Sequence, residues 1–179
     1  MTRYFIGLLP PQEIQDAANR IKQQFADCYG SRKAQSSPPH ITLQPPFEWP
    51  APQVAALEQC LETFARCYKP VAVQLSGFGA FAPRVIYIKV ETTLALQTLH
   101  RELAAHLESK LHIISSASKN RTFTPHLTVA FRDLTRENFQ AAWARFQHQP
   151  FEFNFTVPAL TLLIHNERHW TIGANFSLG

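Results

Sequence analysis

The sequence holds only three cysteines in 179 residues, and no Cys-x-x-Cys pair among them. Cys28, Cys60 and Cys67 therefore suggest neither a disulfide framework nor a zinc ribbon, and a reducing cytoplasm suits them best. They fall on or near helical stretches and are most simply read as small buried groups. Long apolar runs are missing as well: nothing approaches the ~20 residues that a membrane-spanning helix needs. The opening "MTRYFIGLLPPQE" is apolar for a few residues before Pro10-Pro11 end it, too short for the core of a signal peptide. The expectation is a soluble, cytoplasmic protein with no membrane partner. Blocks of like charge are absent too. The formal net charge of +4 comes from 17 Lys+Arg against 13 Asp+Glu, scattered along the chain, with Ser118-Lys119-Asn120-Arg121 the densest basic group. This excludes a basic nucleic-acid arm, while the mild positive balance favours phosphate-bearing partners.

Metal-ligand spacing is lacking. His100, His106 and His112 share one predicted helix at six-residue intervals, which puts neighbours on opposite sides rather than at the i, i+4 spacing of ligands, and they read as surface residues. His165 and His169 flank a turn, but no third ligand accompanies them. No metal and no cofactor is expected.

What the chain does have is apolar content, 45% of its residues, enough for one domain or two tightly packed lobes. Strand and helix signals alternate. The aromatic, β-branched run from Tyr4 to Leu9 reads as a strand. Ile14, Ala17, Ala18, Ile21 and Phe25 follow a helical rhythm that ends near Gly30. A strand at His40–Gln44 sits between prolines. The spacing predicts a helix from Val54 to Tyr68, stopped by Pro70, then strands over Val71–Phe81 and Arg84–Glu91. A long helix follows from Thr93 to Leu111, then a strand at His126–Phe131, a helix from about Arg136 to Phe146, and strands over Phe151–Val157, Leu160–His165 and Trp170–Leu178.

Laid side by side, the halves repeat one order: strand, helix, histidine strand, helix, paired strands. An internal duplication predicts an α+β, bilobal fold with pseudo-twofold symmetry, in which two antiparallel sheets face a central cleft and helices pack outside. A single domain with halves of about 1–84 and 85–179 is expected, strands being exchanged between lobes.

Each histidine strand carries proline, histidine, apolar, threonine, apolar: Pro39-His40-Ile41-Thr42-Leu43 and Pro125-His126-Leu127-Thr128-Val129. Side chains alternate along a strand, so His40 with Thr42, and His126 with Thr128, share one face while the aliphatic pair is buried behind them. The same parity puts Ala130 and Arg132 on the face of His126. Two facing imidazoles can act as general base and general acid near neutral pH, with threonine hydroxyls and an arginine holding phosphate oxygens. For Thr42 and Thr128 the plainer reading is β-propensity alone. Arg132 and Arg84 are either solvated strand-end charges or phosphate contacts. Phe47, Phe78, Phe81 and Phe123 either stack a base or, as is commoner among fourteen phenylalanines, fill the core.

With these paired motifs, together with "RYFIGLLPP", "GFGAFAPRVIYIKVE" and "HLTVAFRD", the chain resembles the 2H phosphoesterase superfamily. Within it, the resemblance is to the bacterial RNA 2′,3′-cyclic phosphodiesterases, also called 2′-5′ RNA ligases, and it covers essentially the whole chain. The resemblance implies a bilobal α+β monomer that hydrolyses 2′,3′-cyclic phosphate ends of RNA or nucleotides to 2′-phosphates, some members also running reversible 2′-5′ ligation. It implies His40 as the acid for the 3′ leaving oxygen and His126 as the base for water. Thr42 and Thr128 complete the catalytic set, and Arg132, Arg84, Phe47 and Phe81 are the candidate substrate contacts. The alternative is a non-catalytic module binding phosphorylated RNA ends in the same cleft.

Overall fold

The structure is a computed structural model, and it describes residues 1–114 and 122–179. The basic group at 118–121 lies outside the described residues. The chain runs β1 (Thr2–Leu8), α1 (Gln12–Tyr29), β2 (Ile41–Trp49), α2 (Val54–Ala65), β3 (Val71–Phe81), β4 (Val85–Val90), α3 (Leu94–Leu111), β5 (His126–Ala130), α4 (Arg136–Phe146), β6 (Glu152–Val157), β7 (Ala159–His165) and β8 (Trp170–Ser177), with short 3₁₀ turns at Lys33–Ser36 and Ala51–Gln53.

The helices form where their apolar rhythm and caps agree. Helix α1 buries Ile14, Ala18, Lys22, Phe25 and Ala26, and stops at Gly30, whose φ of 67° and N–H bonded to the Phe25 carbonyl make a left-handed cap. Helix α3 starts at Thr93, whose hydroxyl accepts from the Leu96 N–H, and it buries Leu96, Leu99, Leu103 and Leu107. Thr135 caps α4 in the same way, on the Asn138 N–H.

Two four-stranded sheets result, ordered β2-β1-β7-β8 and β5-β4-β3-β6, with antiparallel pairing throughout. The α+β, two-sheet expectation holds. Each histidine strand is an edge strand beside its sheet's β1 or β4, and the two approach one another. The sheets draw on both halves of the sequence: β1 is flanked by β2 and by β7, and β4 by β5 and by β3. Helices α2 and α3 cover the first sheet, while α1 and α4 lie against the second. One continuous apolar core joins both, and Phe25 of α1 stacks on Phe146 of α4 at 4.6 Å over the second sheet.

Several expectations need correction. Strand β2 does not end at Gln44 but continues through Pro45-Pro46 to Trp49, which an edge strand tolerates because an absent N–H costs no ladder bond on the outer side. The cysteines are not buried: Cys28 and Cys67 are exposed and Cys60 is half-buried. Cys28 and Cys60 fall off the apolar stripes of α1 and α2, and Cys67 lies in the turn after α2. His100 is a half-buried ring stacked on Phe123 at 3.9 Å rather than a surface group, and His106 packs on Phe64 at 5.2 Å. Among the described residues, no helix is long and apolar enough to cross a membrane.

Candidate active site

Prolines deliver both histidines to the cleft in the same posture. The Nδ1 of His40 lies 2.7 Å from the Pro38 carbonyl, and the Nδ1 of His126 lies 2.7 Å from the Thr124 carbonyl. A carbonyl only accepts, so each Nδ1 donates and each neutral ring keeps its lone pair on Nε2. The surroundings then differ. His40 packs on Phe5 at 4.5 Å, whereas His126 sits against Phe81 and Tyr87, each at 5.1 Å. Tyr87 reaches that place because its cross-strand partner is Gly79: a Cβ there would stand 2.4 Å from the tyrosine ring.

Burial lowers the pKa of His40 to about 4; the Pro38 hydrogen bond opposes this, and the charges of Lys22 and His126 add to it. Burial lowers the pKa of His126 too, again against its backbone hydrogen bond. Lys22 is the unforeseen neighbour. It is 2% exposed, its Nζ donates to the Ser37 carbonyl at 2.8 Å, and burial brings its pKa down to about 7. Its position in the apolar stripe of α1, one turn after Ala18, was the signal available in the sequence.

A cavity of about 380 Å³ opens over this floor, lined by His40, Thr42, Thr128 and Arg132 among others. His126 is not part of its wall; it stands two residues before Thr128 on β5, near enough to His40 to influence its charge. Arg132 arrives by a route that strand parity did not foresee. Strand β5 ends at Ala130, and Arg132 turns into the cavity with a φ of 59°, its guanidinium carbon 5.2 Å over the Phe131 ring. Asp133 fixes that turn to the opposite wall, accepting from Ser31 Oγ at 2.9 Å and from the backbone N–H groups of Arg32 and Lys33 at 2.7 and 3.0 Å.

The remaining candidates lie elsewhere. Phe81 is 42% exposed and covers His126 rather than lining the cavity. Phe47 packs on Tyr4 at 6.1 Å, and Arg84 is exposed in the β3–β4 turn; neither lines the cavity. Phe78 is core. Sequence reasoning missed Arg3, Phe5, Lys33, His165, Arg168 and Trp170, which complete the wall. Arg3 and Phe5 alternate on β1 toward the His40 side, a pattern that could have been read. The cavity is electropositive, with Arg3, Lys33, Arg132 and Arg168 against Glu167. No group of three or more His, Cys, Asp or Glu stands ready for a metal among the described residues.

Such a floor, two imidazoles with free Nε2 atoms beside two hydroxyls and several cations, suits chemistry at a phosphate. Known proteins agree with that placement. A Geobacillus kaustophilus protein whose name sets it among the phosphoesterases is 30% identical over 180 residues, spanning 99% of this chain and 96% of its own. The crystal structure of TT0787 from Thermus thermophilus superposes with a TM-score of 0.73 at 23% identity, covering 98% of this chain and 97% of that one. E. coli LigT, solved with 3′-AMP, gives 0.72 at 20%, covering 99% and 98%. These two likenesses carry the fold. The family description that matches residues 10–169 is that of the 2′-5′ RNA ligase superfamily, and it is to this superfamily of two-histidine phosphoesterases that the chain belongs.

Proposed function

We propose that the protein hydrolyses 2′,3′-cyclic phosphate ends of RNA or nucleotides to 2′-phosphates, with His40 and His126 as the acid–base pair. The observation that carries this is the matched posture of the two rings, each held by Nδ1 so that Nε2 is free to exchange a proton. In the reaction, water attacks phosphorus as the bond to the 3′-oxygen breaks. One imidazole takes the water proton and the other supplies a proton to the leaving 3′-oxygen, so the pair ends with its proton exchanged and must relay it back through solvent. Thr42, Thr128 and Arg132 hold the non-bridging oxygens and meet the charge that builds on them.

The roles follow the resemblance, which implies His40 as the acid for the leaving 3′-oxygen and His126 as the base for water on the opposite side of phosphorus. In-line displacement demands this opposition. The reverse reaction, with a 5′-hydroxyl in place of water, would make a 2′-5′ linkage.

The test is a panel of nucleoside 2′,3′-cyclic phosphates and a short RNA with a cyclic end, with products resolved as 2′- or 3′-phosphates. Hydrolysis to 2′-phosphate is expected, insensitive to EDTA, and reduced by several orders of magnitude in His40→Ala or His126→Ala. Full activity in either variant removes the proposal. Tight binding of 2′-phosphorylated ends with no turnover would favour the binding module.

A further inference from the structure

We infer that Lys22 is the positioning residue of His40: from the buried face of α1 its amine holds the Ser37 carbonyl, and so fixes the segment that carries the ring. The inference rests on the proposed acid–base role of His40. It begins from a residue out of keeping with its neighbours. Ile14, Ala18, Lys22, Phe25 and Ala26 form the buried stripe of α1, and Lys22 alone among them can carry a charge. It is 2% exposed and lies outside the cavity wall, so it does not meet a ligand there. An apolar side chain would occupy the same place at less cost. What the lysine adds is the bond from Nζ to the Ser37 carbonyl at 2.8 Å.

The local sequence makes that bond matter. Pro38 and Pro39 have no N–H, so hydrogen bonds can hold the approach to His40 only through its carbonyls. Ser37, standing before a proline, is extended, with φ −141° and ψ 150°. Its carbonyl accepts from Lys22, and the next carbonyl, that of Pro38, accepts from the His40 ring. The two acceptors are consecutive, with one proline of fixed φ between them, so a displacement of the first reaches the second. The bond from His40 to Pro38 is made within the segment and travels with it. Losing Lys22 therefore shifts ring and segment together, away from the seat of the phosphate.

The same connection is fastened at its other end by Asp133, through Ser31 Oγ and the N–H groups of Arg32 and Lys33. One fastening sets the wall of the cavity; the other sets the histidine. Charge acts in the same direction as position. Lys22 from α1 and His126 from β5 bear on His40, and Arg3, Lys33, Arg132, His165, Glu167 and Arg168 stand in the cavity wall it shares. A cation near the ring makes its proton easier to give, which suits an acid. The shift of His126 follows from burial and its own backbone bond, so Lys22 serves one ring of the two.

The experiment compares Lys22→Met, Pro38→Ala and the double variant on a nucleoside 2′,3′-cyclic phosphate. It also records the ring nitrogen resonances of the histidines at neutral pH, with and without inorganic phosphate. Methionine keeps the stripe of α1 apolar, so Lys22→Met folds. Its kcat should nonetheless fall about tenfold or more, with KM unchanged. Pro38→Ala loosens the link between the two carbonyls and should lower kcat too. The double variant should lose no more than the larger single loss, because both changes break one path. Phosphate should shift the Nε2 resonances of both His40 and His126 in the wild type, whereas in Lys22→Met the His40 response should shrink and that of His126 persist. Unchanged kcat, losses that multiply in the double variant, or an unaltered His40 response overturns the positioning. The spectra need no turnover, so the two readings fail separately. A His40 response lost only in Lys22→Met, in a protein that never cleaves, leaves the positioning standing; hydrolysis by the wild type with an unaltered His40 response in Lys22→Met leaves only the hydrolysis.

Discussion

His40 and His126 each place Nδ1 2.7 Å from the carbonyl oxygen two residues upstream, yet the charge of His126 acts on His40. Two rings set alike, with the charge of His126 disfavouring charge on His40, titrate with reference to one another. Both are pushed below the usual histidine value of 6.5 by burial, His40 to about 4. The expected kcat/KM profile is a bell with one limb near pH 4 and the other below 6.5. Measuring kcat/KM on a cyclic nucleotide from pH 3.5 to 9 decides it; a plateau from pH 6 to 8 would refute the assignment.

Replacing Lys22 by methionine should move the lower limb upward. A cation beside His40 resists a second positive charge, so without it the ring keeps its proton to higher pH. The same profile recorded on Lys22→Met tests this.

The stability of that variant carries its own sign. Lys22 has a folded pKa of about 7 against 10.5 in the unfolded chain, so from 10.5 down to 7 the unfolded state binds more protons and the wild type loses stability as pH falls. Below 7 the penalty is full and constant. Lys22→Met should therefore melt higher than wild type at pH 6, with the gap closing as pH rises toward 10.5. A melting-temperature difference independent of pH would contradict this.

Asp133→Ala strips the acceptor from Ser31 Oγ and from two backbone N–H groups. Losing hydrogen bonds to a charged acceptor should cost about 2 kcal/mol in stability. Because the freed segment leads into the Lys33 wall of the cavity, KM should rise as well, which thermal melts and steady-state kinetics would record together.

Gly79→Ala forces a Cβ to within 2.4 Å of Tyr87. The ring must move, and His126 loses its backing. A fall in kcat of tenfold or more is expected, with a destabilisation of about 1–3 kcal/mol; unaltered kcat would show that Tyr87 does not position the ring.

The sequence spoke clearly where one residue's neighbours in space are also its neighbours along the chain. The helical rhythms of α1 and α3, the Gly30 stop and the two Pro-His-x-Thr strands all have that local character, and all appear at the expected places. It spoke poorly where remote segments meet. Trp170 and Arg3 become a pair only because β7 lies beside β1, and Arg132 reaches the cavity through a left-handed turn that alternation cannot encode. The prolines of β2 read as a stop because only its edge position makes them harmless. Residue type alone places Cys28, Cys60 and Cys67 in the interior, whereas helix phase turns Cys28 and Cys60 outward and Cys67 falls in the turn after α2.

Strand β1 finds its second partner in β7, nearly the whole chain later: Phe5 pairs with Leu163. During synthesis the first sheet thus stays unfinished, with one flank of β1 open until the last strands leave the ribosome. A nascent chain halted before residue 159 would expose that flank to other copies. Emergence of the β7–β8 hairpin is then the event that closes the first sheet.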